Sequence, residues 1–250
     1  MKISLCVITR NEEENLPRCL ASAKDLVDEI VVLDSGSRDA TERVAREFGA
    51  QWEFREWTGF VDQKNAALDL AQFEWVLSLD ADEALSPRLR EELHQLKSTQ
   101  PDAAGFSMPR CVFYEGKWIR HGDWYPDRLV RLFRRGAATF EGGKVHERLV
   151  LDGSVERLQG DIEHYSFKDS QDHSDRGGQY AKLWAETAWE SGKRATTWDP
   201  HAHAAFRWIR SYLLRGGFLD GWRGWKIAKI SAREVFRKYQ LLRDSEKESQ

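Results

Sequence analysis

Over the first hundred residues, short apolar runs alternate with segments whose apolar positions recur every three or four residues. Ile3–Thr9, Glu29–Leu33 and Trp75–Leu79 are continuous apolar runs of strand length, and Gln51–Arg55 is a weaker one. Between them, Glu13–Ala23 sets Leu16 and Leu20 on one helical face, and Val61–Leu70 also reads as a helix. Asp39, with Glu42 three residues on, reads as a capping box that opens a helix stopped by Gly49. Ser86-Pro87 opens the next, a capping hydroxyl followed by proline at the first helical position. Strand–helix alternation at this spacing predicts an α/β fold with a mainly parallel sheet and right-handed crossovers. Ligands of such sheets bind beyond the carboxyl ends of the strands. The polar clusters fall there: Thr9-Arg10-Asn11, Asp34-Ser35-Gly36-Ser37 and Asp80-Ala81-Asp82.

Beyond residue 100 the pattern changes. Phe106–Met108, Cys111–Tyr114, Arg128–Phe133 and Asp161–Tyr165 read as short strands that extend the sheet. From about Asp175 helical periodicity returns, with breaks at Asp199-Pro200 and Gly216-Gly217. The expected organisation is 1–100 as the first α/β half, 101–174 as the rest of that domain, 175–244 as a helical extension, and 245–250 as a frayed tail.

Composition adds charge asymmetry. Between Arg176 and Arg243 there are 14 Lys and Arg against 5 Asp and Glu, or +9, so the net −3 of the chain leaves −12 elsewhere. The same stretch holds six of the eleven tryptophans, at 184, 189, 198, 208, 222 and 225. Three readings fit such a stretch: a plain helical cap, a nucleic-acid binder, or an element lying on an anionic membrane surface. Leu213-Leu214-Arg215-Gly216-Gly217-Phe218-Leu219, followed by Trp222 and Trp225, favours the membrane surface. No apolar stretch has the roughly 20 residues that a bilayer span requires. Three cysteines without metal spacing point to a reducing cytoplasm, and the apolar start reads as a strand, not a signal peptide.

No Walker sequence is present and no Gly-x-Gly-x-x-Gly follows the first strand, which disfavours a P-loop NTPase or a dinucleotide-dependent oxidoreductase. Asp80 and Asp82, spaced i, i+2 at a strand end, can instead grip one hard divalent cation, Mg2+ or Mn2+, which in turn can hold a diphosphate. Lys64 on a neighbouring helix is a candidate to neutralise that diphosphate. The combination suits a nucleotide-diphosphate sugar.

Three segments, Val7-Ile8-Thr9-Arg10-Asn11-Glu12-Glu13, Val31 to Thr41, and Leu79-Asp80-Ala81-Asp82-Glu83, resemble family 2 glycosyltransferases in order and spacing. Later ones are similar to a narrower branch, the bacterial lipopolysaccharide core β-1,4-glucosyltransferases. These are His121 to Asp127, Arg131 to Arg135, Val145-His146-Glu147, His164 to Phe167, and Gly217 to Gly221. The resemblance implies a GT-A (Rossmann-like) fold and an inverting hexosyl transfer. It places Thr9, Asn11 and Glu12 along the nucleotide and Asp34 at the base or ribose. Many relatives carry two consecutive acids where this chain has Asp34-Ser35, which leaves the base that is read open.

Inverting transfer needs a carboxylate to take the proton of the acceptor hydroxyl. Glu147, after the Gly142-Gly143 hinge, is the first candidate and Asp127, in an aromatic loop, the second. His146 and His164 are candidates to complete a metal shell or orient a phosphate. Trp124 and Tyr125, near Trp118, suit the C–H faces of an acceptor sugar. Arg131, Arg134 and Arg135 suit acceptor phosphates, although their alternation with Leu and Phe describes more simply a strand with one wet face. The expected function is transfer of a sugar, named as glucose, from a UDP-sugar to a lipid-linked bacterial saccharide such as the heptose of a lipopolysaccharide core. The expected setting is the cytoplasmic face of the inner membrane, without nucleic acid. The alternatives are transfer to a polyprenyl phosphate, and a non-catalytic saccharide- or membrane-binding module.

Overall fold

The computed structural model describes residues 1–142, 147–167 and 170–248. Its strands are β1 (Ile3–Thr9), β2 (Glu29–Asp34), β3 (Gln51–Phe54), β4 (Trp75–Asp80), β5 (Glu83–Leu85), β6 (Gly105–Tyr114), β7 (Lys117–Ile119), β8 (Asp127–Arg134), β9 (Ala138–Gly142), β10 (Glu147–Leu151), β11 (Val155–Arg157) and β12 (Ile162–His164). Its helices are α1 (Leu16–Ala23), α2 (Thr41–Glu47), α3 (Phe60–Leu70), α4 (Pro87–Lys97), α5 (Ser170–Glu190), α6 (Asp199–Trp208) and α7 (Trp222–Glu248). The chain forms two compact units, Met1–Arg110 with Asp127–Tyr165, and Cys111–Pro126 with Ser166–Gln250.

In the first unit the sheet runs β3-β2-β1-β4-β8-β6-β12-β5. The first four of these strands are parallel, and β8 joins β4 in the antiparallel sense. Apolar runs without alternation are the mark of strands buried on both faces. Leu5, Val7 and Val32 enter the core on one side, while Cys6, Val31 and Leu33 pack on the other. The chain builds outward from β1 to β3 and then returns to lay β4 on the opposite side of β1. That reversal creates a switch point at the carboxyl ends of β1 and β4, where Thr9 lies beside Asp34 and Ile8 beside Asp80.

Several local expectations hold and several shift. Ser86 Oγ accepts the Leu89 N–H at 3.2 Å, as a capping hydroxyl should, and Gly49 ends α2 with φ +75°. The capping box does not form. Asp39 accepts the Thr41 N–H and the Glu13 N–H, Glu13 returns a carboxylate to the Ala40 N–H, and Glu42 pairs with Arg46. Helix α1 starts at Leu16, not Glu13, because the preceding N–H groups of Asn11, Glu12 and Glu13 bond across to Ser37, Thr41 and Asp39. The two short strands around Pro109 are one strand, β6, since proline removes a single donor. The β9–β10 hairpin was not visible in the sequence pattern, and Glu147 is the first residue of β10.

In the second unit α5 and α6 pack along α7. Ala185, Ala188 and Leu242 fill one small core with Trp184 and Tyr239 beside them. Helix α7 runs on to Glu248, past the predicted fraying point. Among the described residues no helix is long and apolar enough to cross a membrane.

Candidate active site

Asp34 ends β2 and organises the turn that follows. One carboxylate oxygen accepts the N–H groups of Gly36 and Ser37, both at 2.8 Å, and the other accepts the hydroxyls of Thr9 and Ser37. At 1% exposure, its acceptor directions are spent inside the protein. Asn11 sits in the left-handed region at φ +56°, where a short polar side chain is tolerated, and its Oδ1 accepts the Arg38 N–H at 2.8 Å. Thr9, Asn11 and Glu12 thus tie the end of β1 to the loop after β2.

The acidic motif divides its two aspartates. The chain turns at Ala81-Asp82, so Asp80 and Asp82 do not share a strand face as the i, i+2 spacing suggested. Asp80 Oδ1 lies 2.9 Å from Lys64 Nζ, and Oδ2 accepts from Arg131 Nη2 at 2.7 Å. Burial opposes the charge on Asp80, but Arg131 and then Lys64 hold its carboxyl well below the usual carboxylate range. Burial likewise opposes the Arg131 charge, and Asp80 and Glu83 outweigh it, holding the guanidinium above its ordinary value. Asp80 is therefore held by two cations of the protein.

Asp82 faces elsewhere. Its Oδ2 lies 3.3 Å from Nε2 of His164, at the end of β12, where β12 and β5 pair His164 with Glu83. The other ring nitrogen of His164 is buried without a hydrogen-bond partner, so no second bond dictates the tautomer. A carboxylate oxygen and an imidazole nitrogen in this relation fit two donors of a divalent cation whose other positions a diphosphate and water would fill. Among the described residues no three His, Cys, Asp or Glu side chains form such a group by themselves. His146 lies outside the described residues.

Arg131 departs furthest from expectation. Strand β8 lies between β4 and β6, and Arg131 on it is 5% exposed, while Arg128 and Arg134 are only half-buried. The same Nη2 that reaches Asp80 donates to Glu83 Oε1 at 2.7 Å. Glu83 also accepts from Arg110, which grips Asp127 Oδ2 through Nε at 3.1 Å and Nη2 at 2.7 Å. On the other side Lys64, 4% exposed, reaches Glu147 Oε1 at 3.3 Å. Lys64 is thus a buried bridging cation. Glu83 and Arg110 were not singled out from sequence, although Glu83 adjoins the acidic pair.

The aromatic candidates belong to the second unit. Trp124 stacks on Phe167 with ring centroids 5.3 Å apart and packs edge-on against Tyr114 and His173, so it is a core member of that unit and not an open platform. Tyr125 lies within 5.8 Å of the Arg120 guanidinium.

A family model described as Glycosyl transferase family 2 matches residues 4–148. The chain is 28% identical to the lipopolysaccharide core biosynthesis glycosyltransferase LpsC of Rhizobium meliloti, over 96% of its own length and 94% of that protein. It is 26% identical to an uncharacterized glycosyltransferase of Rickettsia prowazekii, over 100% of its length and 89% of the other's. The structure of S. aureus TarS 1–349 in complex with UDP-GlcNAc superposes on 100% of the chain and 93% of that protein, with a TM-score of 0.50 at 14% identity. That likeness is one of fold: a mixed, mainly parallel sheet flanked by helices, the GT-A arrangement.

Proposed function

Since the chain belongs to glycosyl transferase family 2, we propose that it moves glucose from UDP-glucose, with inversion, to a lipid-linked bacterial saccharide such as the heptose of a lipopolysaccharide core. The observation that carries this reading is the grouping at the switch point of the sheet. Lys64 and Arg131 converge on Asp80, while Asp82 turns to His164. The similarity to LpsC supports the acceptor class.

In this reading the loop from Thr9 to Glu12 lines the nucleotide, with Asp34 holding the Ser35-Gly36-Ser37 turn in shape. Asp82 and His164 would hold Mg2+ or Mn2+, which as a Lewis acid supplies stabilisation of the charge developing on the departing UDP. Asp80 keeps Lys64 and Arg131 in place beside the diphosphate. Glu147 takes the proton of the acceptor hydroxyl as its oxygen bonds to the anomeric carbon and the bond from that carbon to UDP breaks. The products are the β-glucosylated acceptor and UDP. A lipid-linked acceptor places the enzyme at the cytoplasmic face of the inner membrane.

Thermal shift against UDP-, GDP- and dTDP-sugars with Mn2+ tests the donor, because a ligand of the native state stabilises it by mass action. UDP-glucose should raise the melting temperature most, and extracted core saccharide should then accept labelled glucose. Absence of a shift with every UDP-sugar, together with no metal-dependent turnover, would refute the reading.

A further inference from the structure

The second unit displays apolar side chains that its own core does not use. Leu213, Leu214, Phe218, Leu219, Trp222 and Trp225 are each between 43% and 71% exposed, all within one short stretch of chain. Apolar exposure this concentrated marks an interaction surface.

The stretch is firmly built. It comprises a π-helical turn (Ile209–Leu214), a 3-10 turn (Gly217–Asp220) and the first turns of α7. Two buried aspartates pin it. Asp123 takes Arg207, Arg210 and Arg215 at 2.9–3.4 Å, and Asp220 accepts the N–H groups of Arg120 and His121 at 3.1 and 2.9 Å. Gly217 and Gly224 pack backbone on backbone, so closely that a Cβ on Gly224 would sit 1.8 Å from the Gly217 carbonyl oxygen. The apolar groups therefore point outward from a fixed turn.

Charge identifies the occupant. Arg207, Arg210, Arg215, Arg223, Lys226 and Lys229 lie within or next to this stretch of the chain. The acids they meet or adjoin are Asp123, Asp220 and Glu115, which leaves three positive charges in excess. Lys229 lies 4.6 Å from the Trp225 ring centre, and Arg223 lies 4.6 Å from that of Trp222. An indole at the interface with a cation beside it matches the headgroup level of a bilayer, apolar below and anionic above.

We propose that Leu213 to Trp225 is a wedge that inserts shallowly into an anionic phospholipid surface. It deepens the reading of a lipid-linked acceptor by naming the residues that hold the enzyme to the acceptor's membrane. Vesicle co-sedimentation of the full chain tests it, with phosphatidylglycerol–phosphatidylethanolamine vesicles against pure phosphatidylcholine. The protein should pellet with the anionic vesicles alone. Leu214→Glu/Leu219→Glu should weaken that binding at least about tenfold, and Arg223→Gln/Lys229→Gln should weaken it most at low salt. Leu214 and Leu219 are exposed, so the thermal melt of that vesicle-free variant should match the parent. Arg223 and Lys229 are half-buried, and Arg223 Nε donates to the Glu115 carbonyl at 2.8 Å, so binding by the second variant is compared at temperatures where its melt shows it folded. UDP-glucose hydrolysis in solution is read alongside: unchanged hydrolysis with lost binding supports the wedge, and absent hydrolysis with intact vesicle binding refutes only the transferase reading. Failure of the parent protein to bind anionic vesicles overturns the proposal. So does binding that survives Leu214→Glu/Leu219→Glu, or sedimentation as a dimer that buries the patch without vesicle binding.

Discussion

Glu147 and Asp127 are the two ends of one alternating chain of ion pairs. From Glu147 it runs through Lys64, Asp80, Arg131, Glu83 and Arg110 to Asp127, each contact between 2.7 and 3.3 Å. Four carboxylates and three cations thus join the acidic motif to both candidate bases. The ends differ in their restraint: Asp127 Oδ2 is gripped by two nitrogens of one guanidinium, whereas Glu147 meets a single lysine ammonium.

That difference predicts which end is the base. Glu147→Gln should lower kcat for transfer by about 100-fold or more while leaving donor KM near the parent value. Asp127→Asn should cost less in kcat, since it removes a structural grip. Steady-state kinetics on both variants decides, and the reverse ranking would transfer the role to Asp127.

Divalent metal should depend on Asp82 and His164 together. Either Asp82→Ala or His164→Ala should weaken Mn2+ binding, read by calorimetry in the presence of UDP, by at least about tenfold. Asp80→Ala is the contrast, with metal affinity less affected than in those two variants.

Asp80 should matter for stability. Removing its charge leaves Lys64 and Arg131 facing each other with one neutraliser fewer, a loss of about 2–3 kcal/mol in urea unfolding of Asp80→Asn. Its folded pKa is depressed, so its stabilising contribution is present above the unfolded carboxylate value and is lost as pH falls through the folded one. The parent should therefore lose stability in acid more steeply than Asp80→Asn.

His173 predicts a second acid limb. Burial among Tyr114, Trp124 and Phe167 pushes its imidazole down to about 4, against the opposing pull of Asp172 and Glu115 and with some help from Lys226. Between that value and about 6.5 the unfolded chain binds a proton that the native state refuses, so stability falls as pH drops across this window. The full difference is about 3 kcal/mol. Urea midpoints of His173→Phe should change less between pH 7 and 4.5 than those of the parent.

The three thiols should be silent. Cys6, Cys19 and Cys111 are buried, and burial followed by Glu29 pushes the Cys6 thiol up to about 12. A thiol reagent at pH 8 should label none of them in the native protein and all three in denaturant.

By itself the sequence determined the periodic features. Unbroken apolar runs announced strands buried on both faces, Ser86 and Gly49 marked a helix start and a helix stop, and the polar clusters marked the ends of β1, β2 and β4 as the candidate site. These are legible because backbone geometry repeats every two or 3.6 residues and binding sites gather at strand ends. Tertiary structure decided the partners. Asp82 meets His164, 82 positions away, and Asp80 meets Lys64 and Arg131. The pattern along β8 announced a strand, but only the packed structure decided that Arg131, and not Arg128 or Arg134, is buried, held by Asp80 and Glu83. Periodicity records direction from the backbone, whereas a charge finds its counter-charge through the order in which strands and helices assemble.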